Sequence, residues 1–183
     1  MGFYSFKNFR QITNDEIRLI LEWRNHDNIR KWMYHQDIIP LEKHIQFIEN
    51  LKADDTKQYW LVKRKGMDIG VISIVNIENE TGEFGYYLAP FLHQSDLSVE
   101  FYYNSLLFLF EKIKIEELYG YAIVTNKSAN SLATLFKFEK KEIKKDIDGE
   151  LIDFFHLKIN RVKWINNLKN DCKIQRILKL TEN

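Results

Sequence analysis

The chain has 183 residues, 45% of them apolar and 29% charged, with a formal net charge of +1. That length suits one domain with a full core, and the near-neutral balance gives no electrostatic basis for bulk nucleic-acid binding. Its one cysteine, Cys172, excludes an internal disulfide and points to a reducing compartment.

Residues 1–10 alternate aromatic and polar side chains without a long apolar run, so neither a signal peptide nor a membrane span is expected there, and the expected location is the cytoplasm. Ser5 to Phe9 reads as a first strand. Thr13-Asn14-Asp15-Glu16 has the form of a capping box. It opens a helix with Ile17, Ile20 and Leu21 on its apolar face, which ends on Arg24-Asn25-His26. A short second helix is expected over Ile29 to Met33. Leu41, Ile45, Ile48 and Leu51 recur at helical spacing and carry His44 and Phe47, with Pro40 in the tolerated first turn.

After Asp54-Asp55 the period changes to two. Tyr59 to Lys63, Ile69 to Ile77 and Gly82 to Leu88 read as three strands joined by turns at Lys65-Gly66-Met67-Asp68 and Glu78-Asn79-Glu80-Thr81. Leu97 to Ile113 is apolar on most sides and reads as a central helix. A strand over Tyr119 to Thr125, a helix over Ser128 to Leu135, and a hairpin of Lys140 to Lys144 and Leu151 to Ile159 turning at Asp148-Gly149 follow. Trp164, Ile165, Leu168, Cys172 and Ile177 predict one added helix in the tail. A domain over residues 1–159 and a helical extension over 160–183 packed on it are therefore expected.

Arg24-Asn25-His26, Trp32-Met33-Tyr34, His44 and Phe47 bring a fixed cation, imidazoles and flat rings into one short region. A guanidinium fork matches phosphate oxygens and a ring face stacks on a base or sugar. An ordinary amphipathic helix pair with a capping histidine would read the same way. Metal catalysis finds no support, because His26, His35, His44, His93 and His156 are scattered without ligand spacing and no metal is expected.

Strand, helices, a three-strand meander, a central helix, a strand, a helix and a last hairpin is the order of the Gcn5-related N-acetyltransferase (GNAT) fold, which the chain resembles as far as Ile159. The resemblance implies an α+β fold, an α/β/α sandwich on a mixed, mostly antiparallel sheet of about seven strands with a splayed central pair. Arg24-Asn25-His26, Trp32-Met33-Tyr34, His44 with Gln46-Phe47-Ile48, and Gly70 to Ile74 look like the subgroup that N-acetylates a UDP-linked 4-amino-4,6-dideoxy sugar in pseudaminic acid biosynthesis. It implies acetyl-CoA as cosubstrate and a UDP-amino-sugar as partner. It implies no nucleic-acid or membrane partner, and leaves room for a homodimer.

The same resemblance assigns site residues. Backbone groups near Tyr86, Tyr87 and Leu88 would bond the pantetheine arm as an extra strand would, and an amide there would face the developing oxyanion. Glu83 would take the amine proton, with His26 or His44 as alternatives, and Ser73 would bond the sugar or an ordered water. Arg24 and His44 would hold the diphosphate, Trp32, Met33, Tyr34 and Phe47 would line the sugar and base, and His26 would also belong to the substrate site. The pyrophosphate of CoA would meet Gln94, Ser95, Leu97, Ser98 and Val99, and Asn126 would hold the CoA side.

Two departures stand out. Gln94-Ser95-Asp96-Leu97-Ser98-Val99 lacks the glycines of the family's Gln/Arg-x-x-Gly-x-Gly/Ala loop. The family's acidic tyrosine falls on Ala133, so Tyr121 or Tyr87 would substitute. Two other readings stay open: a protein or ribosomal N-terminal acetyltransferase with an acidic groove, and a non-catalytic module of the same fold.

Overall fold

This computed structural model of the protein describes residues 3–92 and 97–181. Seven strands form one sheet in the order β1-β2-β3-β4-β5-β7-β6. They are β1 (Tyr4–Asn8), β2 (Gln58–Arg64), β3 (Met67–Glu78), β4 (Thr81–Leu88), β5 (Glu117–Ile123), β6 (Glu139–Ile147) and β7 (Glu150–Asn160). β1 pairs with β2 and β5 with β7 antiparallel, and three tight hairpins join β2 to β3, β3 to β4 and β6 to β7. Lys65-Gly66, Asn79-Glu80 and Asp148-Gly149 each hold positive φ at both residues, from 48° at Asn79 to 89° at Gly149. Two-residue turns of this kind match the twist of the strands they join, and they are tighter than the four-residue turns expected for the meander.

β4 and β5 are parallel, and their ladder runs through Thr81↔Glu117, Gly82↔Leu118 and Glu83↔Tyr119. β4 continues to Leu88 and β5 to Ile123 beyond those three pairs.

The chain divides into two compact units. The first comprises Met1–Ile77 and Phe84–His93. Its helices are α1 (Asn14–Asn25), α2 (Asp27–Arg30) and α3 (Leu41–Asn50). Ile17, Ile20 and Trp23 of α1, Ile29 of α2 and Ile48 of α3 bury against Phe9, Leu61, Val71 and Ala89. The capping box of α1 forms as read: the amide of Glu16 donates to Thr13 Oγ1, and the amide of Thr13 donates to Glu16 Oε2 at 2.8 Å. Two expectations need correction. The second helix spans Asp27–Arg30, because His26 caps it, and Pro40 is the N-cap of α3 rather than a first-turn residue.

The second unit comprises Glu78–Glu83 and Gln94–Asn183. It holds α4 (Leu97–Phe108), α5 (Lys127–Leu135), α6 (Arg161–Lys163) and α7 (Cys172–Thr181). Phe101, Leu106, Leu109, Phe110, Leu118, Phe136 and Trp164 are fully buried, as the apolar character of α4 requires. α4 ends in a π-helical turn, Leu109–Ile113. The tail is not one helix. It breaks at residues 169–171, where the Asp171 carboxylate accepts from the amides of Lys173 and Ile174 and so starts α7. The Trp164 ring packs against Tyr103 and Phe110, with ring centroids 5.3 and 5.9 Å away. Among the described residues, no helix is long and apolar enough to cross a membrane.

Candidate active site

α1 delivers Arg24 on the helix turn that Trp23 anchors in the core. One arm of the guanidinium, Nη2, donates to the carbonyl of His35 at 3.1 Å. The other, Nη1, is buried without a hydrogen-bond partner. The next residue serves structure. Asn25 exchanges two bonds of 2.9 Å with the backbone of Ile39, donating from Nδ2 and accepting on Oδ1, and so ties down the segment before α3. Arg30 adds to that tie through its 2.9 Å bond to the carbonyl of Gln36.

His44 of α3 is 5% exposed and lies over Phe47 at 6.1 Å. Its Nε2 is buried without a partner, and the backbone of Ile17 bonds the ring. Desolvation and then the charge of Arg24 pull the imidazole below its ordinary pKa, and the Ile17 bond offsets part of this. Desolvation also lowers Arg24, with Tyr87 and Tyr59 acting the other way.

Two tyrosines complete this group. Tyr59 of β2 packs edge-on to Phe47 at 5.2 Å and beside Phe9 at 5.5 Å. Tyr87 of β4 packs against the core of the first unit. Desolvation pushes its phenol well up, Arg24 opposes that, and Tyr59 adds to it. Tyr59 escaped the sequence reading, where it was only the start of a strand. The signal available was its place one residue before the buried Trp60-Leu61-Val62 run, at the end that faces α3.

β3 and β4 meet closely at Ser73 and Gly85. A β-carbon built on Gly85 would stand 2.7 Å from Ser73 Oγ. Tyr86 stacks on Phe84 at 5.5 Å, and desolvation raises its phenol as well. Glu83 is half-buried within β4.

Arg24 of α1, His44 and Phe47 of α3 and Tyr87 of β4 thus belong to one group in the first unit. Met33 packs on the same core, while the Trp32 ring faces Lys31, whose Nζ is 5.5 Å from its centroid. Tyr34 is half-buried. His26 is exposed and used locally, its Nδ1 accepting from the amide of Asn28 at 3.2 Å. Asn126 likewise caps α5, its Oδ1 accepting from the amide of Ala129 at 3.1 Å.

In the second unit Leu97, Ser98 and Val99 form the half-buried first turn of α4, while Gln94, Ser95 and Asp96 lie outside the described residues. Ala133 is fully buried in α5. Tyr121 of β5 stacks on His156 at 5.1 Å beneath Lys145, whose Nζ is 3.6 Å from the ring centroid. Desolvation, then Glu83 and Tyr119, raise its phenol.

A family model described as an acetyltransferase (GNAT) domain matches residues 8–139. The chain belongs to the GNAT acetyltransferase family. Among its relatives is the acetyltransferase PseH of Campylobacter jejuni subsp. jejuni serotype O:23/36 (strain 81-176), 32% identical over 168 residues, or 91% of this chain and 95% of that one. PseH from serotype O:2 (strain ATCC 700819 / NCTC 11168) is 36% identical over 126 residues, covering 69% of this chain and 78% of the other. The crystal structure of C. jejuni N-acetyltransferase PseH in complex with acetyl coenzyme A superposes with a TM-score of 0.67 at 27% identity, over 86% of this chain and 98% of that one. Spermidine N-acetyltransferase from Vibrio cholerae, solved with CoA and spermine, has a TM-score of 0.79 at 16% identity over 91% of this chain and 100% of the other, which speaks for the fold alone. This GNAT chain is an acetyltransferase with the seven-stranded GNAT sheet and a helical tail.

Proposed function

We propose that this acetyltransferase moves the acetyl group of acetyl-CoA to the 4-amino group of a UDP-linked amino-dideoxy sugar, as the PseH likeness suggests. The observation that carries the reading is the pair of buried nitrogens, Arg24 Nη1 and His44 Nε2, that have no protein partner. Buried polar atoms are left without a partner at a cost of about 1–3 kcal/mol each, and a ligand that bonds them would remove that cost. Tyr59, Tyr87 and Phe47 supply the flat apolar walls that a sugar ring or base needs.

β4 carries the chemistry in this reading. The amine nitrogen attacks the thioester carbonyl carbon, the C–N bond forms and the C–S bond breaks. Glu83 takes the proton the amine loses. The thiolate regains a proton from Tyr87, or from Tyr121 in place of the tyrosine that Ala133 replaces. The Ser73 hydroxyl, which Gly85 leaves uncovered, bonds the acceptor or its water. The backbone of Tyr86 and Leu88 takes the pantetheine arm, and the amides of Leu97, Ser98 and Val99 take the pyrophosphate at the start of a 12-residue helix. Gln94, Ser95 and Asn126 belong to the same CoA side. A peptide acceptor would need an acidic groove, and the cationic Arg24 at the centre of the site disfavours it. The test is a coupled assay of CoA release with UDP-4-amino sugars as acceptors. Release that needs the amine, with an N-acetylated nucleotide sugar as product, is expected; release only with peptides or polyamines would overturn the reading.

A further inference from the structure

Residues 31–40 join α2 to α3 without regular structure, and residues 35–38 of that segment are exposed. Packing therefore does little to place them, and three side chains from the preceding helices bond the backbone of this strap. Arg24 Nη2 donates to the carbonyl of His35 at 3.1 Å, and Arg30 Nη1 to that of Gln36 at 2.9 Å. Asn25 fixes the far end through its two bonds with Ile39. Arg30 is held in turn, its Nε and Nη2 reaching Asp27 Oδ1 at 2.8 and 2.7 Å. The carbonyls of His35 and Gln36 belong to adjacent residues joined by a planar peptide unit, so a bond that fixes the second limits where the first can lie.

Arg24 thus has one arm on the strap and the other, Nη1, buried and open. A guanidinium is planar and its nitrogens keep fixed angles to one another. The direction of Nη1 therefore depends on where the His35 carbonyl holds Nη2. We propose that Arg30 is a positioning residue for substrate binding, which acts through the backbone of Gln36 and His35 to aim the open arm of Arg24. Arg30 itself touches no substrate in this arrangement. The inference rests on the reading that Arg24 bonds a nucleotide-linked acceptor. An arm aimed before the ligand arrives leaves less freedom to be lost on binding, so the effect falls on affinity. The Arg30–Asp27 pair adds little to the stability of the fold, because the Arg30 side chain is 33% and that of Asp27 82% exposed. Removing the Arg30 guanidinium should then loosen the strap and spare the core of the first unit.

The test is calorimetric titration of UDP, and separately of acetyl-CoA, into the full-length wild type, Arg30→Met, Arg24→Ala and the double variant. Arg30→Met should weaken UDP by roughly three- to tenfold, a part of the ten- to hundredfold expected for losing the Arg24 bond outright. Acetyl-CoA affinity should not change. Without Arg24 the Arg30 change should cost no further affinity, because its route to the ligand is gone. Arg30→Lys, which keeps a donor for the Gln36 carbonyl, should recover part of the loss. Unchanged UDP affinity in Arg30→Met overturns the proposal, as does an equal loss with and without Arg24, or a loss shared by acetyl-CoA. Nitrogen NMR of the Arg24 guanidinium in the ligand-free protein gives a reading that needs no substrate. The bond to His35 should slow rotation about Cζ–Nη2 in the wild type, and Arg30→Met should release it. A guanidinium equally restrained in both proteins overturns the proposal, even if the enzyme acetylates a UDP-amino sugar. Release in Arg30→Met together with a wild type that binds no UDP would sink the nucleotide-sugar reading and keep the link from Arg30 to Arg24.

Discussion

Ser73 Oγ stands 2.7 Å from the point where a β-carbon at position 85 would lie, so the hydroxyl of one strand occupies the space that the glycine of the next leaves open. Gly85→Ala must turn the Ser73 hydroxyl away or part the strands, at a cost of about 1–3 kcal/mol. Gly85→Ala and Ser73→Ala should each lower kcat, and the double variant should be no worse than Gly85→Ala alone, because both changes remove the same hydroxyl from the same place. Steady-state kinetics with thermal melts of all three proteins checks this. Additive losses would mean that the hydroxyl and the close approach act separately.

Arg24→Ala should raise the KM for a UDP-amino sugar much more than that for acetyl-CoA. A charge-assisted bond at a buried nitrogen contributes about 1.5–3 kcal/mol, which amounts to one to two powers of ten. Equal changes in both KM values would assign Arg24 to structure alone, through its bond to the His35 carbonyl.

Acid stability should depend on Glu16. Desolvation opposes its ionisation, but Lys7, the amide of Thr13 and Lys63 outweigh that and lower its pKa from 4.5 to about 2. Its carboxylate is 2.6 Å from Lys7 Nζ and 3.2 Å from Lys63 Nζ. A depressed carboxyl pKa gives stability that is present above the unfolded value and lost as the pH falls through the folded one. Glu16→Gln should therefore cost about 2–3 kcal/mol at neutral pH, and the gap between the two proteins should close between pH 4.5 and about 2. Denaturant melts across that range decide it, and a gap that stays constant with pH would show the loss to be one of packing.

The strand and helix order was legible because it rests on local periodicity. The capping box of Thr13 and Glu16 and the Asp148-Gly149 turn formed where the residues placed them. Side-chain roles were less legible, since one residue type serves either a ligand or its own backbone. His26 and Asn126 read as site residues and both cap helices, and Asn25 closes a loop onto Ile39. Arg24 and His44 meet through the packing of α1 on α3, a tertiary contact that no spacing encodes. Tyr59 joins them from a strand for the same reason. The break in the tail came from Asp171, whose capping carboxylate competes with helix continuation.

Trp164 is fully buried between Tyr103 and Phe110, which makes the tail part of the core of the second unit. Trp164→Ala should destabilise the protein by about 3–5 kcal/mol. Thermal unfolding checks it, and a shift no larger than that of a surface substitution such as Val162→Ala would show the tail to be an appendage.

The central claim is acetyl transfer to a UDP-linked amino sugar at the Arg24–His44 site. The most direct measurement incubates the full chain with acetyl-CoA and UDP-4-amino-4,6-dideoxy-N-acetyl-β-L-altrosamine and follows the nucleotide sugar by mass spectrometry. The account predicts a product heavier by one acetyl group, formed at a rate that Arg24→Ala lowers at subsaturating sugar. An unmodified sugar at saturating acetyl-CoA, with the same protein acetylating a peptide or polyamine, would contradict it.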